Sequence, residues 1–123
     1  MASATAHPNH QLISSEDVEG TDVYDLKGTK IGDIDHLMID KLSGRVTYAV
    51  MSFGGFLGVK EKYHPIPWSM LTYDEGEDGY VVNITKEQLQ AAPADTLGEL
   101  TKDDGLTYRD RAFDYYRSPR YWD

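Results

Sequence analysis

Residues 28–55 read GTKIGDIDHLMIDKLSGRVTYAVMSFGG, and this stretch predicts two long strands joined by a tight turn at residues 41–44. The second strand, residues 45–53, alternates between two faces, with Tyr48 and Val50 on the same one. Both of its faces are largely apolar. Such a strand is typically buried on one side and covered by a further layer on the other.

The first strand is less regular. Ile31 and Ile34 are three residues apart, so a regular strand would send them to opposite faces. A bulge at the intervening glycine and aspartate would place both isoleucines on the same face of the strand. From Ile34 onward, alternation predicts that His36 and Met38 share its face and that Leu37 takes the other.

The strands continue beyond the glycine-rich residues 54–58. Pro65 and Pro67 cannot donate hydrogen bonds to a neighbouring strand, so we expect an edge or crossing segment there. Strands are predicted at residues 69–73 and 80–84, on either side of a short acidic turn.

Two helix signals follow. Thr85 with Gln88 three residues later has the spacing of a capping box and predicts a short helix. A similar signature at Thr107 and Asp110 predicts a C-terminal helix as far as about residue 117. The whole pattern predicts a mainly β fold: a small antiparallel barrel of five to six strands, with a short helix after the last strand and a C-terminal helix.

The chain of 123 residues is long enough for one domain with tails. We expect a disordered N-terminal lead-in at 1–13, in which the first ten residues are small and polar. The barrel domain is predicted at 14–93 and a linker at 94–106. An aromatic and arginine-rich helix and tail are predicted at 107–123.

Composition narrows the possible functions. There are no cysteines, which excludes disulfides, thiolate metal sites and cysteine nucleophiles. The net charge of −9 argues against a nucleic-acid groove, because binding phosphates requires a concentrated basic face. No run of residues has the length and apolarity of a membrane helix, and the first ten residues lack the features of a secretory signal. We therefore expect a cytoplasmic protein without a membrane span.

The C-terminal segment, residues 107–123, differs from the rest of the chain. It holds four of the five arginines and six of the fourteen aromatic residues. A cationic, aromatic tail is complementary to an acidic barrel, so docking is expected either on its own barrel or on another chain. Its aromatic residues could also stack on single-stranded nucleic acid, but the surrounding negative charge opposes that interpretation.

Six short motifs carry a family resemblance over residues 15–93, and they occur in this order: Asp25-Leu-Lys-Gly28, Lys30-Ile-Gly32, Leu37-Met-Ile-Asp40, Gly44-Arg-Val46, Gly54-Gly-Phe-Leu-Gly58 and Pro67-Trp68. In these motifs the chain resembles the PRC-barrel family, and above all its stand-alone bacterial members. The resemblance implies a PRC-type β-barrel and a protein-binding module that is not an enzyme. The reaction-centre H subunit and RimM share this barrel. The alternatives are therefore a soluble relative of the H subunit, or a RimM-like accessory factor in RNA or ribosome processing.

No catalytic or metal-binding constellation stands out. His36 and His64 each lie alone in a predicted strand. A lone histidine in a strand is usually structural or solvent-facing. The acidic turn at residues 74–78 could offer hard oxygen ligands to Ca²⁺, but it lacks the ligand spacing of an EF-hand and reads better as a solvated turn. We predict no enzymatic activity, no metal and no cofactor.

Protein contact is the remaining role. Phe56 and Leu57 lie in the glycine-rich loop, where they either fold over the barrel mouth as a plug or dock on a second chain. We expect a homo-oligomer, a dimer or larger, and a further protein partner that the sequence does not identify. The predicted contact residues are Phe56, Leu57, Pro67, Trp68, Tyr115, Tyr116, Arg117, Tyr121 and Trp122.

Overall fold

The computed structural model describes residues 11–53 and 62–123. Its strands are β1 (Asp22–Tyr24), β2 (Lys30–Ile39), β3 (Val46–Phe53), β4 (Lys62–Pro67), β5 (Leu71–Asp74) and β6 (Gly79–Val82). Its helices are α1 (Ser15–Val18), α2 (Lys86–Ala91), α3 (Leu97–Leu100) and α4 (Leu106–Tyr116), with a 3₁₀ turn at Trp68–Met70 between β4 and β5. The predicted mainly β class, with a short helix after the last strand and a C-terminal helix, is confirmed.

The six strands form one sheet in the order β4-β3-β2-β1-β6-β5, curled into a half-barrel. All neighbouring strands are antiparallel except β1 and β6, which are parallel. This one pair departs from the expected antiparallel arrangement. A hairpin would force its two strands to run antiparallel, but β1 and β6 are connected through all the other strands, so their direction is not fixed in this way. β4 lies at an edge, as its prolines predict.

The pairing of β2 with its neighbours is irregular at three points, one of which, between Met38 and Ile39, leaves Thr47 of β3 as the extra residue. At the other two points the extra residue lies in β2, and it is Ile31 against β1 and Asp35 against β3. Ile31 and Ile34 are both buried, as the expected bulge requires, although the irregularities lie on either side of the predicted position. The bulge at Asp35 was not expected, and it reverses the alternation that follows. Leu37 therefore packs on the core that contains Ile34, while Met38 packs on the opposite side, so the predicted shared face of Ile34 and Met38 is wrong.

Two hydrophobic clusters lie on the two faces of β3. The inner cluster fills the half-barrel and includes Ala49 and Met51. The outer cluster contains Tyr48 and Val50 and is completed by residues that follow the barrel: Leu97, Leu100, Tyr108, Phe113 and Trp122. The prediction of a strand with two apolar faces, one of them covered by a further layer, is confirmed.

Residues 94–106, for which a linker is predicted, lie against the sheet. The backbone of Asp95 exchanges two hydrogen bonds with that of Tyr63 in β4, at 3.0 and 3.2 Å. The Thr96 side chain then caps α3, whose Leu100 is 1% exposed. This segment packs on the sheet because its leucines cover the outer face of β3.

The C-terminal helix begins before its predicted cap. Gly105 occupies the N-cap position of α4 in the left-handed conformation, with φ +83°. Thr107 instead lies within the helix, where its backbone and its hydroxyl both donate hydrogen bonds to the Asp103 carboxylate. The earlier capping box is confirmed, because Thr85 and Gln88 each accept a hydrogen bond from the other's backbone N–H.

Candidate protein-interaction site

The C-terminal tail docks on its own barrel through Tyr121. Its hydroxyl donates to the Asp40 carboxylate at 3.1 Å and shares a 2.6 Å hydrogen bond with the Thr47 hydroxyl. The Arg45 guanidinium lies 3.9 Å above the centre of the tyrosine ring, within the range of a cation–π interaction. All three partners belong to β2, β3 or the turn between them, so this hairpin holds the end of the chain.

Trp122 is held from two sides. Its indole lies edge-on to the Phe113 ring, with centroids 4.7 Å apart, and the Arg109 guanidinium lies 3.9 Å from the indole centroid. Arg109 also forms an ion pair with Asp110 at 3.0 Å. Aromatic pairs of this geometry contribute about 0.5–1.5 kcal/mol beyond the area they bury. Trp122 thus anchors the tail on α4.

A groove of about 410 Å³ separates this tail from the barrel. It brings together Trp68 from the barrel and Tyr121 from the tail, two residues that the sequence placed in separate candidate surfaces. The hydroxyls of Ser69 and Ser118, 3.2 Å apart, connect the barrel to the tail beside it. Its lining is mostly apolar and aromatic and carries one guanidinium: Arg45, Val46, Thr47, Trp68, Ser69, Phe113, Pro119 and Tyr121.

The other predicted contact residues are more dispersed. Pro67 is fully buried and offers no surface. Tyr115 is 39% exposed and donates a hydrogen bond to the Gln88 carbonyl at 2.7 Å. Tyr116 is half-buried against the inner core, and its hydroxyl is buried without a hydrogen-bond partner. Arg117 is exposed directly after α4. The remaining two candidates, at positions 56 and 57, lie outside the described residues.

Six of the eight residues of the groove wall were not predicted from the sequence: Arg45, Val46, Thr47, Ser69, Phe113 and Pro119. Arg45 and Thr47 flank the start of β3, and only the tail's return to this hairpin reveals their role. Phe113 was not among the predicted contact residues, although it is 4% exposed. Its position four residues after Arg109 was the available signal, since residues at this spacing lie together on a helix surface. Pro119 lies in the tail, two residues before Tyr121.

The two candidate histidines have different surroundings. The His64 ring is 2% exposed, meets Phe53 edge-on at 5.5 Å, and its Nδ1 has no hydrogen-bond partner. Burial, aided by the nearby positive charge of Lys62, lowers the pKa of His64 to about 4. His64 is therefore a neutral core residue at physiological pH. His36 Nδ1 lies 2.7 Å from Asp35 Oδ2, a contact between neighbours that the bulge at Asp35 permits.

Within residues 11–53 and 62–123, no three histidine, aspartate or glutamate side chains come together as metal ligands. The acidic turn is held by its own contacts, since the Asp74 carboxylate accepts from the backbone of Gly76 and Glu77. In the same described ranges, no helix is both long and apolar enough to cross a membrane.

The PRC-barrel domain pattern matches residues 10–89, which is more than half of the chain. This chain belongs to the PRC-barrel domain family. The match ends within α2, so the segment that carries the tail side of the groove lies beyond it.

One similar solved structure is that of a 16S ribosomal RNA processing protein, RimM, from Pseudomonas aeruginosa. The two chains are 22% identical and superimpose with a TM-score of 0.39. The alignment covers 66% of this chain and 50% of RimM, so it spans about half the length of that protein. No curated protein matches this sequence.

Proposed function

We propose that this PRC-barrel protein is a non-enzymatic, cytoplasmic adaptor that binds another protein and associates with itself. The groove between the barrel and its docked tail supports this proposal, because Trp68 and Tyr121 both line it. Aromatic residues and arginine are the residue types that contribute most binding energy at protein interfaces.

The groove chemistry suggests the occupant. Its apolar walls fit an apolar side chain of a partner, placed between Trp68 and Tyr121. Arg45 is exposed, stacks on Tyr121 and forms no ion pair within the described residues, so it can pair with a carboxylate. The expected partner is therefore an extended protein segment that carries an acidic residue next to an apolar one.

Three tail arginines are engaged within this chain, which weakens the alternative of RNA binding. Arg109 lies on Trp122, Arg111 lies over the ring of Tyr108, and Arg120 pairs with Asp114 at 2.7 Å. A chain with a net charge of −9 then has little free positive charge with which to release counterions from phosphates. If RNA were nevertheless the ligand, filter binding would show retention that falls steeply with salt.

The groove is tested by blocking it. Ser69→Arg places a long charged side chain at the groove wall, on an exposed turn, and also removes the hydroxyl contact with Ser118. Gln90→Arg adds the same charge on the exposed face of α2 and serves as the control. Pull-downs from native lysate with the parent protein and both variants should capture one protein set with the parent and Gln90→Arg, and lose it with Ser69→Arg. Identical captures with all three proteins would exclude the groove as the binding site.

Self-association is tested separately by size-exclusion chromatography with light scattering. Phe56 and Leu57 remain our proposed contacts for it, on the grounds of their residue types in a glycine-rich segment. We expect the mass to rise with concentration and Phe56→Asp to reduce this rise. A monomer at every concentration, with or without Phe56→Asp, would remove self-association from the proposed function.

A further inference from the structure

A second cavity, of about 230 Å³, lies between the N-terminal segment and the β5–β6 hairpin. The segment before α1 and the first turn of that helix form one wall, and the hairpin forms the other. The residues that line it are Gln11, Leu12, Ile13, Ser14, Asp17, Tyr73, Glu75 and Tyr80. None of them belongs to the groove described above.

The charged groups of the cavity are all acidic. Asp17 and Glu75 contribute carboxylates from opposite walls, and no lysine or arginine lines the cavity. Within residues 11–53 and 62–123, neither carboxylate has an ion-pair partner or accepts a hydrogen bond. The cavity therefore has a negative potential that nothing in its lining neutralises.

Aromatic rings form its floor. The Tyr73 and Tyr80 rings meet at 71° with centroids 5.4 Å apart, and the Tyr80 ring is supported from behind by Trp68 at 5.3 Å. The Tyr73 hydroxyl donates to the Asp78 carboxylate at 2.5 Å, which fixes the orientation of that ring. Held in this way, Tyr73 offers ring surface beside two carboxylates, and the buried Tyr80 lies beneath it. Such a combination attracts a cation, because the faces of aromatic rings are electron-rich.

The dimensions restrict the ligand further. The volume is below the range of about 300–1,000 Å³ that is typical for sites that enclose a small molecule. It suits a single side chain. Leu12 and Ile13 add apolar surface, which matches the methylene stem that arginine and lysine carry behind their charge.

We propose that this cavity binds the side chain of an arginine or lysine presented by a protein partner. The carboxylates of Asp17 and Glu75 pair with the cationic group, and the ring of the partly exposed Tyr73 stacks on it, while the buried Tyr80 supports that ring from the core. The identification of the carrier as a protein rests on the adaptor function proposed above. The cation site itself does not, because a single cationic amino acid derivative can occupy it.

The test is a titration of the ¹⁵N-labelled full chain, followed by NMR, with N-acetyl-arginine amide. N-acetyl-citrulline amide is the matched probe, since it has a nearly identical shape and no charge. The arginine probe should move the amide signals of residues 11–17 and 73–80, and the citrulline probe should move them far less. Equal shifts with both probes, or no shift with either one, would overturn the proposal.

Two variants test whether the arginine probe binds at this cavity. Glu75→Gln removes a cavity carboxylate and should weaken binding of the arginine probe about two- to fivefold, the range expected for a partly solvated ion pair. Glu87→Gln makes the same change on an exposed residue of α2 outside the cavity, and should leave binding unchanged. Equal weakening by both variants would show general charge attraction and would also overturn the site. If the probe binds but the lysate captures no protein, the cavity proposal holds and the adaptor function fails.

Discussion

The contact between Tyr48 and Gly105 provides a sharp test of how the C-terminal layer sits on the barrel. Tyr48, in β3, is 2% exposed, and its hydroxyl donates a 2.8 Å hydrogen bond to the Gly105 carbonyl. A Cβ atom on Gly105 would overlap the Tyr48 hydroxyl and would lie 2.9 Å from the terminal methyl of Met38. Gly105→Ala therefore forces either the tyrosine or the start of α4 to move.

Two costs combine in this variant. Gly105 has a φ of +83°, and an L-residue with a Cβ atom costs about 1–2 kcal/mol in that region. Overfilling a packed site typically adds about 1–3 kcal/mol. We expect Gly105→Ala to lower the free energy of unfolding by about 3 kcal/mol in urea denaturation at neutral pH.

Two other glycines separate these contributions. Gly44 also has a positive φ, +80°, but a Cβ atom there would meet nothing within 4 Å, so Gly44→Ala should cost only about 1 kcal/mol. Gly98 lies in α3 with open space around it and no positive φ, so Gly98→Ala should stabilise the protein by about 0.5 kcal/mol. If Gly105→Ala costs no more than Gly44→Ala, then Gly105 does not pack against Tyr48 and the described outer layer is wrong.

Three further predictions concern single residues. Because the pKa of His64 is lowered from 6.5 to about 4, the folded state resists its protonation, and about 3 kcal/mol of stability should be lost as the pH falls between those values. Urea unfolding measured across this pH range should show the loss, and the His64→Leu variant should not. If the free energy of unfolding depends equally on pH in both proteins, the burial of His64 is contradicted. Trp122→Ala removes the contacts with Phe113 and Arg109 and should cost about 2 kcal/mol, with faster proteolysis after α4, whereas unchanged proteolysis would mean that the tail is not docked. Thr85→Ala removes the cap of α2 and should cost about 1 kcal/mol in thermal or urea unfolding, and no loss would contradict the capping box.

The barrel strands could be predicted from the sequence because each depends on a pattern within a few neighbouring residues. The alternation in β3, the prolines of β4 and the cap at Thr85 each have a physical cause within a few residues. The second bulge of β2 was not accessible in this way. Nothing in the local pattern marks Asp35 as unpaired, because its register depends on how β3 pairs with β2.

The outer layer was only partly predictable. The clustering of arginine and aromatic residues predicted a docking tail, but not which face would receive it. The packing of residues 94–106 follows only from the fold, where Leu97 and Leu100 meet the outer face of β3. The groove likewise depends on contacts between distant segments, such as Thr47 with Tyr121, which no local periodicity encodes.

The two-sided packing of β3 has a consequence for motion. This strand has a neighbour on each edge, β2 and β4, and a hydrophobic cluster on each face. Its amide hydrogens should therefore exchange with deuterium only when much of the protein opens, whereas those of the outermost strand β5 should exchange through small local fluctuations. Since consecutive residues of β3 alternate between the two clusters, loosening the tail relaxes the packing of the same backbone that supports the barrel core. Local opening at the C-terminus and opening of the barrel should then be thermodynamically coupled through this one strand.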